Sequence, residues 1–213
     1  GGGWGEARKD LSARARKSFW RAWGLGMGSG ELSASGAAAL WSSVVRTVLE
    51  YGGEVESGKW EEAEKLQRMA GRMALGVGKG VADEVVQGEL GWWTVRARRQ
   101  YLRLVYWGNL VRGKEDGIVV ATYREGRARI ERGEAAEGEW AVETKRILQE
   151  IGLGEEWETE QVGSAREWAR MVKNQMGVKE EVEWREGLLR KKQKSKEPKI
   201  KLMRYARIKK RLK

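Results

Sequence analysis

Apolar side chains recur every three to four positions along this chain and almost nowhere alternate one by one, a spacing that commits it to helices. The stripe Leu11, Ala15, Phe19, Ala22 and Trp23 predicts a first helix over 6–24. A glycine-rich turn, Gly24 to Gly30, follows it. A second helix starts near Ser33, whose hydroxyl suits an N-cap. It carries Ala37, Leu40, Trp41, Val44, Val45, Val48 and Leu49 and stops at Gly52-Gly53. A third, over 59–75, turns Trp60, Ala63, Leu66, Ala70 and Met73 inward and ends at Gly76. A short helix is expected over 81–88 and a long one over 92–112. Further helices are expected over 116–132, 139–151, 164–176, 178–194 and 198–212, with the sole proline, Pro198, in the first turn of the last. The fold class is all-α: a multi-helix bundle, a second acidic helical region and a basic C-terminal helix or tail.

Glycine works against this reading and has to be explained. The chain has 29 glycines in 213 residues, and Gly71 and Gly108 fall inside expected helices. Each costs about 1 kcal/mol relative to alanine there. Either close helix packing requires them, or the isolated chain is only marginally ordered.

Charge divides the sequence. The net charge is +11. Residues 1–130 hold 21 basic and 15 acidic side chains, residues 131–187 hold 8 and 15, and residues 188–213 hold 13 and 1. The last segment carries an excess as large as that of the whole chain. A block so basic stays solvated by self-repulsion or meets a polyanion. The division expected is a helical core over 1–112, an acidic helical region over 113–187 and a basic tail over 188–213. Trp140, Trp157, Trp168 and Trp184 anchor the acidic region.

Composition removes much catalytic chemistry. Cysteine and histidine are absent, which excludes disulfides, thiolate nucleophiles, His-ligated zinc and the Ser-His-Asp arrangement. The three aspartates, Asp10, Asp83 and Asp116, are scattered and form no pair. Glu61, Glu62 and Glu64 open a helix, where the dipole favours acids, and Lys65 follows Glu61 as an ordinary surface partner. Gly24–Gly30 and Gly76–Gly80 match no phosphate-loop pattern and read as turns. No catalytic residue, metal site or cofactor is expected. No stretch approaches the roughly 20 apolar residues of a membrane span, and the glycine-rich start has no apolar segment of a signal peptide.

The segment from Gly88 to Trp107 interleaves arginines with aromatic side chains. On a helix, Arg96, Arg99 and Arg103 fall on one stripe, with Val95, Leu102, Val105 and Tyr106 opposing them and Arg98 beside those. One face would bury while the other presents planar guanidinium forks to phosphates. The competing reading is a stripe that pairs with acids such as those of 131–187. Trp92 and Trp93 suit core or interdomain packing better than base stacking.

Several stretches together resemble the region after the polymerase palm in LINE-type (non-LTR) retrotransposon reverse transcriptases. They are Leu40 to Gly52, Trp60 to Arg68, Leu75-Gly76, Gly88 to Trp93 and Arg96 to Arg99, covering much of 6–112, with the basic Arg204 to Lys209 resembling the linker. The resemblance implies a thumb-like core over 1–112 and a helical linker over 113–187 that hold a template–primer duplex. It also implies that the catalytic aspartate pair lies upstream. On its own the chain would be no enzyme, while the parent polyprotein would be an RNA-directed DNA polymerase.

The expected function is therefore a nucleic-acid-binding fragment of such a polymerase, without its palm. The residues expected to meet RNA or DNA are Arg96, Arg98, Arg99, Arg103, Arg190, Lys191, Lys192, Arg204, Arg207, Lys209 and Lys210. Changing Arg96, Arg99 and Arg103 to alanine should weaken binding without changing helicity. Nucleic acid and the rest of a polyprotein are the expected partners, with no membrane, and the location is nuclear or cytoplasmic. The alternatives are a helical protein-interaction module, in which the acidic region docks the basic tail or a basic partner, and a retroelement relic without activity.

Overall fold

The computed structural model describes residues 3–27, 32–113 and 117–194. The described residues are helical with no strand, which bears out the all-α expectation. The helices are α1 (Gly3–Ala22), α2 (Ala34–Leu40), α3 (Arg46–Glu50), α4 (Glu61–Ala74), α5 (Asp83–Leu90), α6 (Val95–Val111), α7 (Ile118–Glu131), α8 (Trp140–Glu150), α9 (Gly154–Thr159) and α10 (Ala165–Lys194). The expected helix over 198–212, with Pro198, lies outside the described residues. The helices expected over 164–176 and 178–194 form the single helix α10. Gly177 does not break it, because Trp168, Val172, Met176, Glu180, Trp184 and Leu188 are all buried at four-residue spacing.

The chain forms two compact units whose limits differ from the expected division at 112 and 187. The first comprises 1–51, 59–96 and 180–213, and the second 52–58 and 97–179.

In the first unit, the apolar stripe of α1 is buried as its spacing requires. Ala15 and Phe19 meet Trp41, Val45, Leu49, Trp60, Ala63 and Ala70 in one core. The Phe19 ring stands edge-on to Trp41 at 6.3 Å, and Trp41 stacks on Trp92 at 5.5 Å, so Trp92 is a packing residue. Each buried indole contributes about 5 kcal/mol of apolar burial as an upper bound. The Ser33 hydroxyl caps α2 by accepting the Gly36 N–H at 3.2 Å. A wider π-helical turn, Trp41–Val45, joins α2 to α3. The Ser43 hydroxyl bonds the Ala39 carbonyl there at 3.0 Å. Gly71 has a packing reason: a Cβ on it would stand 2.6 Å from Val86 Cγ1 of α5. Trp184 and Leu188 of α10 pack with Ala82 and Val85, and the Trp184 indole donates to the Glu84 carbonyl at 2.7 Å.

In the second unit, Trp107 of α6 stacks on Trp157 at 5.8 Å and lies 5.2 Å from Trp168. Ile147, Leu148, Val172 and Met176 are buried with full loss of exposure. The Trp168 indole donates to the Leu104 carbonyl at 2.8 Å, and a Cβ on Gly108 would come within 2.3 Å of that ring. Close packing thus accounts for both helical glycines. The Trp107 indole donates to the Tyr123 hydroxyl at 3.2 Å, which in turn donates to Glu160 at 2.5 Å. Burial, with Glu160 beside it, pushes the Tyr123 hydroxyl up to about 12, so it remains a donor.

Candidate nucleic-acid interface

Arg99 and Arg103 of α6 turn inward, which corrects the expectation that they join Arg96 in a phosphate-facing stripe. Arg99 is 1% exposed and Arg103 5%. In the second unit, the chain at 52–58 supplies the acceptors that burial of a guanidinium demands. Arg99 Nε donates to the Glu56 carbonyl at 3.0 Å and Nη2 to the Gly52 carbonyl at 3.4 Å, with the Glu56 carboxylate 3.5 Å away. Arg103 Nη2 donates to the Val55 carbonyl, and its guanidinium lies 5.8 Å from the centre of the Trp140 ring. Burial lowers the Arg103 pKa to about 10, opposed by Glu56 and Glu143. The two side chains staple a loop. Arg98 is half-buried, with its guanidinium 5.7 Å from the Tyr101 ring centre. Arg96 is also half-buried.

Nor is the start of α6 open to a phosphate, although a helix N-terminus attracts anions. In the first unit it already has two carboxylates. Glu64 accepts the Arg96 N–H at 3.0 Å, and Glu180 accepts the Thr94 N–H at 2.7 Å and the Thr94 hydroxyl at 3.1 Å. Burial raises both acids, Glu180 to about 7.

The tail residues divide. Arg190 is exposed and pairs with Glu186 at 3.3 Å. Lys191 and Lys192 continue α10. Arg204, Arg207, Lys209 and Lys210 lie outside the described residues.

The acidic region neutralises many of its own charges. Within the second unit, Arg127 pairs with Glu160 at 2.9 Å, Arg129 with Glu139 at 2.9 Å, Arg132 with Glu125 at 2.8 Å, Lys145 with Glu158 at 2.8 Å and Lys179 with Glu150 at 2.7 Å. An acid already paired has less to offer a separate basic segment.

Exposed cations occur on a surface the expected site omitted. On α1, Lys9, Arg16, Lys17 and Arg21 are exposed and have no ion pair among the described residues, while Asp10 is engaged by Arg14 at 2.8 Å. The signal was present in the sequence. Lys9, Arg16, Lys17 and Arg21 all fall off the apolar stripe of Ala15, Phe19 and Ala22, so burying that stripe leaves the cations outside.

Among the described residues, no group of three or more acidic side chains is placed to hold a metal ion, and no helix is long and apolar enough to cross a membrane. No protein-family model, curated protein or solved structure matches the sequence.

Proposed function

We propose that the chain is a nucleic-acid-binding helical segment of a LINE-type reverse transcriptase, holding template–primer duplex beside a catalytic palm carried elsewhere in the same polyprotein. One observation carries the reading. A chain of net charge +11 displays Lys9, Arg16, Lys17 and Arg21 on one helix without acidic partners among the described residues, while its acidic region is engaged in its own ion pairs. Such a field attracts a polyanion without sequence preference, and the phosphate backbone supplies that kind of affinity. The resemblance of 40–52, 60–68, 88–93 and 96–99 to the region after the polymerase palm supplies the retroelement context. Arg99 and Arg103 serve the segment by fixing its shape, and the α1 cations with those of the C-terminal segment provide the grip.

The test is equilibrium binding to a short RNA–DNA duplex across a salt series. With about six phosphates neutralised, log K falls against log[salt] with a slope near −5. Changing Lys9, Arg16, Lys17 and Arg21 to glutamine reduces that slope by about 3 to 4. No binding in dilute buffer, or an affinity that ignores salt, refutes the proposal.

A second reading, a helical protein-interaction module, draws on a mostly apolar cavity of about 1080 Å³ in the second unit. Val55, Tyr106, Leu110, Tyr123 and Trp140 line it, together with Ile118, which is 82% exposed. Removing 195–213, which keeps α10 and its buried Leu188, separates the readings: a scaffold keeps its partner, whereas a duplex-binding segment loses affinity.

A further inference from the structure

The exposed face of α1 has a feature that phosphate attraction alone leaves unexplained. Trp20 is 49% exposed near the C-terminal end of the basic face. Lys9, Arg16 and Trp20 are spaced by seven and four residues and form one stripe, with Lys17 and Arg21 flanking it. Two neighbouring rings pack against the Trp20 ring. Phe19, fully buried in the core, meets it edge-on at 5.1 Å, and Trp23 meets it edge-on at 6.5 Å. With two rings packed against it and about half of its surface exposed, the indole has area for another planar group and loses little freedom when that group arrives.

We propose that Trp20 is a stacking platform for an unpaired base, and that α1 binds the single-stranded segment that carries it. This rests on the nucleic-acid reading above and deepens it: Arg16, Lys17, Arg21 and Lys9 hold the phosphates on either side while the base lies on the indole. Duplex bases are stacked on one another and leave no face for Trp20, so the device distinguishes single strands and frayed ends from continuous duplex. An apolar protein helix would desolvate four unneutralised cations on this face, whereas an oligonucleotide supplies both the planar group and the counter-charge. The same combination of a tryptophan and cations also fits an anionic lipid surface, which the experiment separates.

The experiment measures binding of the full chain to a labelled oligothymidylate of about 12 nucleotides, to a duplex of equal length and to phosphatidylserine vesicles. Trp20→Ala lowers single-strand affinity about tenfold with an unchanged salt slope, Trp20→Phe retains most of it, and duplex affinity changes less than twofold. As a check independent of any variant, ultraviolet crosslinking of a bromouridine-substituted strand to the wild-type chain labels the tryptic peptide Ser18–Arg21. Equal single-strand affinity of Trp20→Ala and wild type, or crosslinks confined to other peptides, overturns the stacking proposal while duplex binding leaves the broader reading standing. Tighter binding to the vesicles than to the oligonucleotide also overturns it. Failure of the wild type to bind either nucleic acid in dilute buffer overturns both.

Discussion

Replacing Arg99 by alanine separates a structural arginine from a phosphate-binding one. The side chain is almost fully enclosed, donates to the carbonyls of Glu56 and Gly52 and stands 3.5 Å from the Glu56 carboxylate. Its removal takes a buried cation from beside that carboxylate, which is only 14% exposed and accepts the Gly58 N–H at 2.7 Å. Breaking such a pair costs about 3 kcal/mol, since desolvation of the remaining charge is no longer offset. For a chain of this size that corresponds to a fall in melting temperature of roughly 6–12 °C. Arg99→Lys keeps the charge but cannot span several acceptors with a planar fork, so it loses much of the same stability. The assay is thermal and urea unfolding followed by circular dichroism, run beside duplex binding at temperatures where each variant is folded. The expected result is a large loss of stability with the salt slope of binding unchanged. Unaltered melting with weakened binding and a shallower slope would refute the reasoning and return Arg99 to the interface.

Two further predictions concern the framework around that site. Gly108→Ala places a methyl against the enclosed Trp168 ring, which its bond to Leu104 holds in place. Overpacking outweighs the gain in helix propensity, and the variant is destabilised by about 2 kcal/mol, read as a lower urea midpoint. Glu180 has a folded pKa of about 7 against 4.5, raised first by burial and further by Glu183 and Glu64. The folded state therefore binds its proton more tightly than the unfolded state. The contribution from Glu180 is fully stabilising below about pH 4.5 and is lost as pH rises through about 7. Between those values stability falls by up to about 1.4 kcal/mol per pH unit. Glu180→Gln flattens this dependence in urea titrations across pH, and equal slopes for variant and wild type would refute it.

The helical stripes were readable in the residues because a helix repeats every 3.6 positions whatever it packs against. Leu11 to Trp23 predicted the buried side of α1, and Ser33 marked the start of α2. Gly71 and Gly108 could be flagged but not explained, since the Val86 and Trp168 side chains that require them are distant in sequence. The short α9 was not anticipated, and the separate helices expected over 164–176 and 178–194 are one, held by the buried ladder from Trp168 to Leu188. The fate of the α6 arginines was the largest difference. Periodicity put Arg96, Arg99 and Arg103 on one stripe, but α6 has apolar and basic side chains on all sides, and nothing local says which side another segment will cover.

The residues alone determined that this chain is helical, strongly cationic and without histidine or cysteine, because periodicity, charge and residue inventory are properties of the order of amino acids. Tertiary structure decided which cations are available. Burying a guanidinium depends on carbonyl acceptors brought from some 40 positions away, as the segment 52–58 does for Arg99 and Arg103, whereas the cations of α1 face water because their helix buries its opposite side.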